Sequence, residues 1–468
     1  MLTVYSDDHA LQDGKAELVD GRLVPCFEMP RRAYLVRDRV REVGLGDVIA
    51  PRSFGRAPLE RVHDPDFVEF LATAWDRWTA TGRDYDALPW IWPNRQLRQV
   101  RPERIDGLMG YYSFDAGTPL TVGTWRAAQA SADVALTAAE LLADGAHPAV
   151  FALCRPPGHH AAADLYGGYC FLNNAAIAAQ YLIDGGAERV AILDVDYHHG
   201  NGTQAIFYHR PDVLFLSLHG HPREEYPFFL GWAEERGEGP GEGYNVNYPL
   251  PWGTGFADWA AMLDDACARI ARYLPDVLLI SLGVDTFKDD PISKFRLESE
   301  DFTTYGRRIA RLGLPTLFVM EGGYAVEQIG VNAVNVLQGF EGVAAGGCAS
   351  VRGRSAGRAR HRRRVAAGRD DRRGRSAAVA ATLRRWTRSS PGGARPRVAS
   401  APPAPAALRG AGLRRSWRQD VAAGGSRQHA PAEGCTKVRR EHSSAKAMAR
   451  IGRNSGDGAG ATGRSMQA

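Results

Sequence analysis

Short apolar segments of strand length alternate with helical segments over the first 343 of the 468 residues. The apolar segments, rich in Val, Leu, Ile and Phe, occupy residues 2–6, 149–154, 189–195, 213–218, 276–284 and 315–320. The helical segments occupy residues 66–80, 124–144, 173–184, 257–273 and 300–312. Because continuous apolar strands must be covered on both faces, this alternation predicts an α/β fold with an open, mostly parallel sheet and helices on both faces.

The composition changes abruptly after residue 343. Residues 344–468 contain 26 Arg and 2 Lys against 6 acidic residues, a net charge of +22, whereas residues 1–343 carry a net charge of −17. The tail also lacks Phe and Tyr, so it has too little apolar material for a core. We interpret residues 1–343 as one folded domain. Residues 344–468 are then an Arg-rich, low-complexity tail, either disordered or produced by a frameshift in GC-rich coding DNA, with nucleic acid as an adventitious partner.

Cysteine usage and the amino terminus bear on the compartment. The six cysteines are far apart and form no C-x-x-C motif, so the sequence predicts neither a disulfide framework nor a thiolate zinc site. The first residues lack the basic and apolar regions of a signal peptide. The longest apolar runs fall far short of the ~20 residues of a membrane-spanning helix. These features predict a cytoplasmic protein without a membrane partner.

Five of the six apolar segments lead directly into polar residues that are capable of catalysis. These polar segments are RPPGHH at 155–160, DYHHGNG at 196–202, HGH at 219–221, Asp285, and EGGY at 321–324. In an open parallel sheet, ligands bind at the carboxyl ends of the strands. We therefore expect the five segments to form a single site.

The residue types at these strand ends point to a metal ion. Asp194, Asp196 and His198 alternate at the end of one strand, so they share a face, and Asp285 ends another strand. Buried carboxylates are costly unless they are neutralised. Two carboxylates and one imidazole suit catalytic zinc or a similar divalent ion, with positions left for water and substrate. The alternative is that D-x-D-x-H-H caps a helix or forms surface ion pairs. That alternative accounts for the D-x-D-x-H-H motif taken alone. It accounts less well for the motif together with Asp285 and the histidine pair.

A histidine pair and a tyrosine supply groups for proton transfer and hydrogen bonding. His159 and His160 follow Pro-Pro-Gly, a rigid turn, and imidazole titrates near working pH. Asp194 and Asn201 are available as acceptors that fix the tautomer of each ring. Tyr324 follows two glycines, and its hydroxyl is suited to donate a hydrogen bond to an oxyanion. Taken alone, each of these features is also compatible with a structural role.

Together the segments RPPGHH, GGYCFLNNAA, ILDVDYHHGNGTQ, SLHGHP, LGVDTFKDDPISKF and VMEGGY resemble the histone deacetylase superfamily. Within it, they are most similar to the bacterial acetylpolyamine amidohydrolases. The similarity extends from the amino terminus to about Glu341. It implies an arginase/deacetylase-like fold and hydrolysis of N-acetyl amides by Zn²⁺ or Fe²⁺, with a structural K⁺ ion. It also implies a homodimer in which long loops such as residues 224–244 narrow the active-site channel.

The resemblance further implies a role for individual residues. The metal ligands would be Asp196, His198 and Asp285. The catalytic residues would be His160 as general base and then acid, His159 as its electrostatic companion, Asp194 beside His159, Asn201 beside His160, and Tyr324 at the carbonyl oxygen. Many deacetylases have Asp at the position of Asn201. Substrate contacts would come from Glu17, Asp106, Gly168, Tyr169 and Tyr226. The K⁺ site would use Asp194, Asp196, His198, Ser217 and Leu218.

The predicted substrate is a small N-acetylated amine, such as an acetylpolyamine or an acetylated diamine. Glu17 matches the acidic rim of relatives that prefer polyamines, but Asp106 replaces a longer Glu, Gly117 replaces another, and Lys288 adds a positive charge. The sequence therefore also allows a smaller or singly charged amine as the substrate. The alternatives are a protein lysine deacetylase, an inactive metal-binding scaffold, and a protein that binds nucleic acid through its tail.

Overall fold

The computed structural model describes the backbone of residues 1–352 and the side chains of residues 1–342, so nearly all of the predicted tail at 344–468 lies outside the described residues. The described strands are β1 (Leu2–Val4), β2 (Glu17–Val19), β3 (Arg22–Val24), β4 (Val48–Ile49), β5 (Ala149–Ala152), β6 (Val190–Asp194), β7 (Val213–Gly220), β8 (Asn245–Leu250), β9 (Val277–Leu282) and β10 (Thr316–Met320). The described helices are α1 (Arg31–Glu42), α2 (Pro65–Thr79), α3 (Ile105–Tyr111), α4 (Thr124–Ala143), α5 (Asn174–Asp184), α6 (Asn201–Phe207), α7 (Phe256–Tyr273), α8 (Ser299–Ala310) and α9 (Val326–Arg352).

Eight of these strands form one sheet in the order β4-β1-β5-β10-β9-β6-β7-β8, and every neighbouring pair is parallel. Strands β2 and β3 form a separate antiparallel hairpin. All six apolar segments of the sequence are strands of the large sheet, so the predicted open parallel sheet is confirmed. The five strands followed by polar segments, β5, β10, β9, β6 and β7, are consecutive in the sheet.

Each central strand contributes side chains to two cores, one on either face of the sheet. Ala191 and Leu193 of β6 belong to a core with helices α1, α7, α8 and α9. Val190 and Ile192 of the same strand belong to a core with α4 and α5. Because successive side chains of a strand point to opposite faces, a continuous apolar strand needs helices on both faces.

Helix starts fix the loops that carry the polar segments. The side chain of Asn173 caps α5 by accepting the backbone N–H of Ala176 (2.9 Å), and its amide donates to the carbonyl of Ala161 (3.0 Å), just after the histidine pair. A third apolar cluster joins α2 and α3 to Tyr166 and Phe171. The turn between these two aromatic residues is therefore held at both ends.

The structure refines the predicted boundaries and adds elements. Strand β6 ends at Asp194, so Asp196 and His198 lie in the turn after it rather than on the strand. Strand β7 continues to Gly220, which places His219 inside the sheet, fully buried. The sequence analysis did not predict β4, β8, the β2–β3 hairpin, α1, α3, α6 or α9. Among the described residues, no helix combines the length and the apolar character needed to cross a membrane.

Candidate active site

The buried cluster at the carboxyl edge of the sheet contains Asp196, His198 and Asp285. Their ligand-type atoms all lie within 4.8 Å of one another. His198 Nδ1 is 3.0 Å from Asp285 Oδ2 and 3.4 Å from Asp196 Oδ1. Strands β6 and β9 are neighbours, so the turn after one and the residues after the other meet at this edge. The structure thus brings together the three predicted metal ligands.

Backbone N–H groups orient the carboxylates of this cluster. Asp196 accepts from the N–H of Gly322 (2.8 Å) and of His198 (2.9 Å), and Asp285 accepts from the N–H of Tyr197 (2.7 Å). Gly322 must lack a side chain, because a Cβ atom there would lie 2.6 Å from Asp196 Oδ2 and 2.7 Å from Asp285 Oδ2. Such outer contacts fix the direction of a ligand's lone pairs.

The charges of this cluster call for a cation. Asp194, Asp196 and Asp285 are fully buried, and none of them forms an ion pair with Arg or Lys among the described residues. Burial, together with the nearby Asp196 carboxylate, raises the pKa of Asp285 to about 8. A divalent cation would relieve this cost, and two carboxylate oxygens with one imidazole nitrogen are the donors that zinc and ferrous iron accept. The residues therefore fit the catalytic divalent metal that the resemblance implies.

His159 and His160 stand side by side next to this cluster, with ring centroids 4.0 Å apart. His159 Nδ1 is 3.0 Å from Asp194 Oδ2, and His160 Nδ1 is 2.6 Å from Asn201 Oδ1. Burial alone would lower the pKa of His159, but the Asp196 and Asp194 carboxylates raise it to about 10. Burial and the neighbouring His159 lower the pKa of His160 well below its ordinary value. The pair therefore combines a charged and a neutral imidazole.

A second set of ligand-type atoms, from His159, Cys170 and Glu321, also lies within 4.8 Å. Glu321 Oε2 accepts the backbone N–H groups of Gly158 (2.6 Å) and His159 (3.1 Å). The thiol of Cys170 donates to the carbonyl of Gly168 (3.3 Å). Because Glu321 Oε2, His159 Nδ1 and the Cys170 thiol are engaged within the protein, we assign this set to the support of the histidine turn and not to a metal.

Tyr324 lies beside the cluster at the end of β10, with its backbone fixed by two charged residues. Its N–H donates to Asp290 Oδ2 (2.6 Å), and Arg32 donates to the carbonyl of Gly323 (2.6 Å) while its guanidinium carbon lies 4.7 Å from the Tyr324 ring centroid. The ring of Tyr169 packs edge-on against Tyr324 at 5.4 Å. Burial raises the pKa of Tyr324 well above 10, so its hydroxyl stays protonated and can donate.

Gly168 and Tyr226 lie against His160, and Tyr169 follows Gly168 in the same turn. The resemblance implies that Tyr169 and Tyr226 are channel walls and that the Gly168 carbonyl accepts the substrate amide N–H. Gly168 and Tyr169 both have positive φ angles, 54° and 65°, which make a tight turn beside His160. A Cβ at Gly168 would lie 2.2 Å from His160 Cδ2, so only glycine allows this approach. The Tyr226 ring lies edge-on to His160, with centroids 5.2 Å apart.

The residues expected to recognise a cationic substrate have different surroundings. Glu17 is fully buried on β2 and accepts the N–H of Phe27 (3.1 Å), and burial raises its pKa to about 7. Asp106 lies near the surface on α3 and pairs with Arg83 (2.6 Å) and Arg104 (3.3 Å). The charge of Asp106 is therefore offset within the chain.

Lys288 and the residues expected at a K⁺ site are the remaining positions that the sequence analysis named. The exposed Lys288 pairs with Glu298 (2.8 Å), so its charge is also offset. Of the residues expected at a K⁺ site, Ser217 on β7 is the register partner of Asp194 on β6, and Leu218 follows it. The Ser217 hydroxyl lies 2.8 Å from His219 Nδ1.

Four residues that hold the site were missed or had no predicted role, namely Arg32, Asp115, Asp290 and Glu321. Asp290 and Glu321 lie in segments that carry the resemblance, and acids so close to catalytic residues are a signal that the sequence offers. Asp115 accepts hydrogen bonds from the Tyr226 hydroxyl (2.8 Å) and from the N–H of Gly168 (2.6 Å). Arg32 is an arginine among many on α1, and no sequence signal distinguishes it.

Comparison with known proteins agrees with this geometry. The profile of the histone deacetylase domain matches residues 26–340. Acetylpolyamine amidohydrolase 2 of Pseudomonas aeruginosa is 64% identical over 343 residues, which is 73% of this chain and 99% of that protein. The acetylpolyamine amidohydrolase of Mycoplana ramosa is 51% identical over 342 residues, 73% of this chain and all of that protein.

A solved structure shows the same fold. The acetylpolyamine aminohydrolase of Burkholderia pseudomallei matches with a TM-score of 0.69 and 40% identity, over 73% of this chain and 99% of that one. The parallel sheet, the polar residues at its carboxyl edge and these matches lead to one conclusion: the chain belongs to the histone deacetylase family.

Proposed function

We propose that the protein is a metal-dependent amidohydrolase that removes acetyl groups from small N-acetylated amines, namely acetylpolyamines or acetylated diamines. The observation that carries this proposal is the buried Asp196–His198–Asp285 set beside the His159–His160 pair. The names of the relatives, at up to 64% identity over nearly their whole length, support the substrate class.

Asp196, His198 and Asp285 would hold the catalytic metal, which we propose to be Zn²⁺ or Fe²⁺. When bound, such an ion polarises the acetyl carbonyl and makes a water molecule more acidic. The backbone N–H groups of Gly322 and Tyr197 donate to the Asp196 and Asp285 carboxylates and hold them in place. A structural K⁺ ion near Asp194 and Ser217 is a further part of the proposal.

His160 transfers the proton in the proposed reaction. Its ring is neutral because burial and the neighbouring His159 lower its pKa, so its free nitrogen accepts a proton from the attacking water. Asn201 accepts the hydrogen on Nδ1, which leaves Nε2 for this task. The protonated His160 then donates to the nitrogen of the leaving amine. Hydrolysis yields acetate and the free amine.

His159 and Tyr324 stabilise charge that develops during the reaction. His159 carries a positive charge held by Asp194 and limits the pKa that His160 reaches as it takes up the proton. The Tyr324 hydroxyl donates a hydrogen bond to the oxyanion of the tetrahedral intermediate. Asp290 and Arg32 hold the Tyr324 backbone and ring, so this donor is in place before the substrate arrives.

A homodimer is also part of the proposal. Trp90 (69%) and Phe229 (88%) are among the large apolar side chains of the described surface that are mostly exposed, and Phe229 lies in the loop of residues 224–244. Covering such aromatic side chains with a second copy would bury apolar area. Light scattering on the full-length protein measures the mass directly, and a monomer at micromolar concentration would contradict this part.

The test of the function is a substrate panel. Purified full-length protein, loaded with Zn²⁺ or Fe²⁺, is assayed for acetate release from acetylputrescine, acetylcadaverine, acetylspermidine and an acetyllysine peptide. We expect faster turnover of the free amines than of the peptide, and no turnover by Asp196→Ala. Faster hydrolysis of the peptide than of every free amine would identify a protein lysine deacetylase instead.

A further inference from the structure

A single carboxylate, Asp115, gathers four hydrogen-bond donors beside the histidine pair. Its Oδ1 accepts from the N–H of Gly117 and from the hydroxyl of Thr118, each at 3.1 Å. Its Oδ2 accepts from the N–H of Gly168 (2.6 Å) and from the hydroxyl of Tyr226 (2.8 Å). Each oxygen therefore has one backbone donor and one hydroxyl donor, which uses the acceptor capacity of the carboxylate within the chain.

These contacts join three segments that are far apart in sequence. Asp115 lies after α3, Gly168 lies in the turn after the histidine pair, and Tyr226 lies in the loop of residues 224–244. Thr118 adds a second contact to the turn, because its Oγ1 accepts the N–H of Tyr169 (2.9 Å). Hydrogen bonds to a charged acceptor are shorter and stronger than neutral ones, so this carboxylate is a firm junction between the three segments.

Two of the joined segments form the walls of the space over His160. The Tyr226 ring lies edge-on to His160 at 5.2 Å and to His198 at 6.0 Å. Gly168 approaches the same His160 ring so closely that a Cβ atom would lie 2.2 Å from it. The Phe114 ring, next to Asp115 in sequence, packs 6.1 Å from Tyr226. A shift of Asp115 would therefore move both walls.

We infer that Asp115 is a positioning residue that, through Tyr226 and Gly168, sets the width of the channel over His160. A channel of fixed, small width admits an unbranched acetylated amine and disfavours an acetylated side chain that carries a peptide backbone close behind it. This inference rests on the proposed function and adds the device that selects the substrate.

The first test is Tyr226→Phe, which keeps the aromatic ring and removes the hydroxyl donor. The selectivity measured is kcat/KM for acetylputrescine divided by kcat/KM for acetyllysine blocked at both backbone ends. We expect the metal content and melting temperature to stay near wild-type values while this ratio falls about tenfold, one decade per 1.4 kcal/mol of lost discrimination. Tyr248→Phe is the matched control, because it removes another hydroxyl bond to a carboxylate, Tyr248 to Asp265 at 2.7 Å, and should leave the ratio unchanged.

The second test is Asp115→Asn, which keeps the size of the side chain. Gly117 and Gly168 direct a backbone N–H at different oxygens of Asp115, and a backbone N–H cannot become an acceptor. Either orientation of the Asn amide therefore sets an NH₂ group against a donor. We expect a lower selectivity ratio and, because misplacement of about 1 Å costs on the order of 10²-fold, a kcat reduced on that scale with the metal retained.

The outcomes separate the two proposals. A selective wild-type enzyme whose ratio is unchanged in both variants overturns the inference and leaves the proposed function intact. A wild-type enzyme with no preference for acetylputrescine contradicts the proposed function, and it also removes the selectivity that the inference explains. A reduced ratio in Tyr226→Phe with normal metal content supports the inference, even if Asp115→Asn does not fold.

Discussion

Two buried clusters of charged residues flank Tyr324, and they are completed in different ways. On one side, Asp194, Asp196 and Asp285 are fully buried without an arginine or lysine partner among the described residues. On the other side, Glu28 lies between two buried guanidinium groups, Arg32 (2.9 Å) and Arg155 (2.7 Å). The first cluster has an excess of negative charge and the second an excess of positive charge.

The donors of the arginine cluster find partners within the protein. Arg32 also donates to the carbonyls of Glu321 (2.7 Å) and Gly323 (2.6 Å), and Arg155 donates to the carbonyl of Gln12 (2.7 Å). Among the described residues, no arginine or lysine pairs with the carboxylate cluster, and its cationic neighbour is the His159 ring, 3.0 Å from Asp194. In line with the proposed function, we expect the first cluster to require an external cation, whereas the second cluster holds Tyr324 through partners within the protein.

The largest effect is expected where the carboxylate cluster loses a ligand. Asp196→Ala removes one of the three proposed protein ligands, so both hydrolysis and tight metal binding should be lost, with turnover falling to the background rate. Metal content by mass spectrometry and acetate release measure the two losses. Asp258→Ala, at an exposed position in the first turn of α7, is the control. A variant Asp196→Ala that keeps stoichiometric metal would contradict the assignment of the ligand.

The arginine cluster should respond through stability instead of metal binding. Glu28→Gln leaves two buried guanidinium groups without a carboxylate, and breaking a buried pair in this way costs about 3–5 kcal/mol. Urea unfolding measures this loss, and the folded fraction should still bind the metal. Glu42→Gln removes an exposed pair with Arg39 and should cost less than about 1 kcal/mol. Equal losses of stability in Glu28→Gln and Glu42→Gln would show that the buried arginine cluster contributes no more to stability than an exposed ion pair.

Tyr324 lies between the two clusters and should affect only the rate. Tyr324→Phe keeps the ring beside Arg32 and removes the hydroxyl donor, so kcat should fall about 10²–10³-fold while metal content is unchanged. Steady-state kinetics with acetylputrescine gives this value. Full activity of Tyr324→Phe would show that the oxyanion is stabilised elsewhere.

Glu17 is a buried acid that has no arginine partner among the described residues. The pH dependence of stability therefore tests what an unpaired buried carboxylate costs. Burial raises its pKa to about 7, whereas an unfolded chain has a value of about 4.3. The protonated Glu17 carboxyl favours the folded state, and this contribution is fully present at pH values below the pKa of the unfolded chain. It is lost as the pH rises through the folded-state pKa of about 7. Gln cannot ionise. The free energy of unfolding of Glu17→Gln should therefore rise by roughly 2 kcal/mol relative to that of the wild type between pH 5 and pH 8.

Urea unfolding at these two pH values measures the gain, and the exposed Glu60→Gln serves as the control. A difference between Glu17→Gln and wild type that does not change with pH would mean that Glu17 is already ionised throughout this range.

The sequence predicts the strands and the residues at their ends because topology leaves them little freedom. Parallel strands direct their carboxyl ends to one edge, so Asp196 and Asp285 must meet once β6 and β9 are neighbours. Strand β8, which contains Pro249 and two asparagines, lacks the apolar run that identified the other strands. Helix α1 has a short apolar stripe, Ala33, Val36 and Val40, among many arginines.

The residues that hold the site depend on contacts between loops, which periodicity does not encode. Asp115 and Tyr226 are 111 positions apart, and Arg32 is 291 positions from Gly323. No local pattern specifies such pairs, because each loop path depends on the packing of the elements at its two ends. The resemblance named Tyr226 as a channel wall, but its carboxylate partner required the structure.

The smallest effect is expected at Asp106, whose charge is offset by Arg83 and Arg104, as that of Glu28 is by two arginines, but near the surface. Exposed ion pairs contribute about 0–1 kcal/mol, and a carboxylate already paired attracts a further ammonium only weakly. Asp106→Asn should therefore change KM for acetylputrescine less than about twofold, and equally for a neutral acetylamide of the same length. Arg83→Gln sharpens the test, because it removes the shorter of the two ion pairs of Asp106, leaves only the exposed Arg104 at 3.3 Å, and should lower KM for the charged amine alone. A large rise in KM for acetylputrescine alone in Asp106→Asn would show that this carboxylate binds the ammonium group despite Arg83.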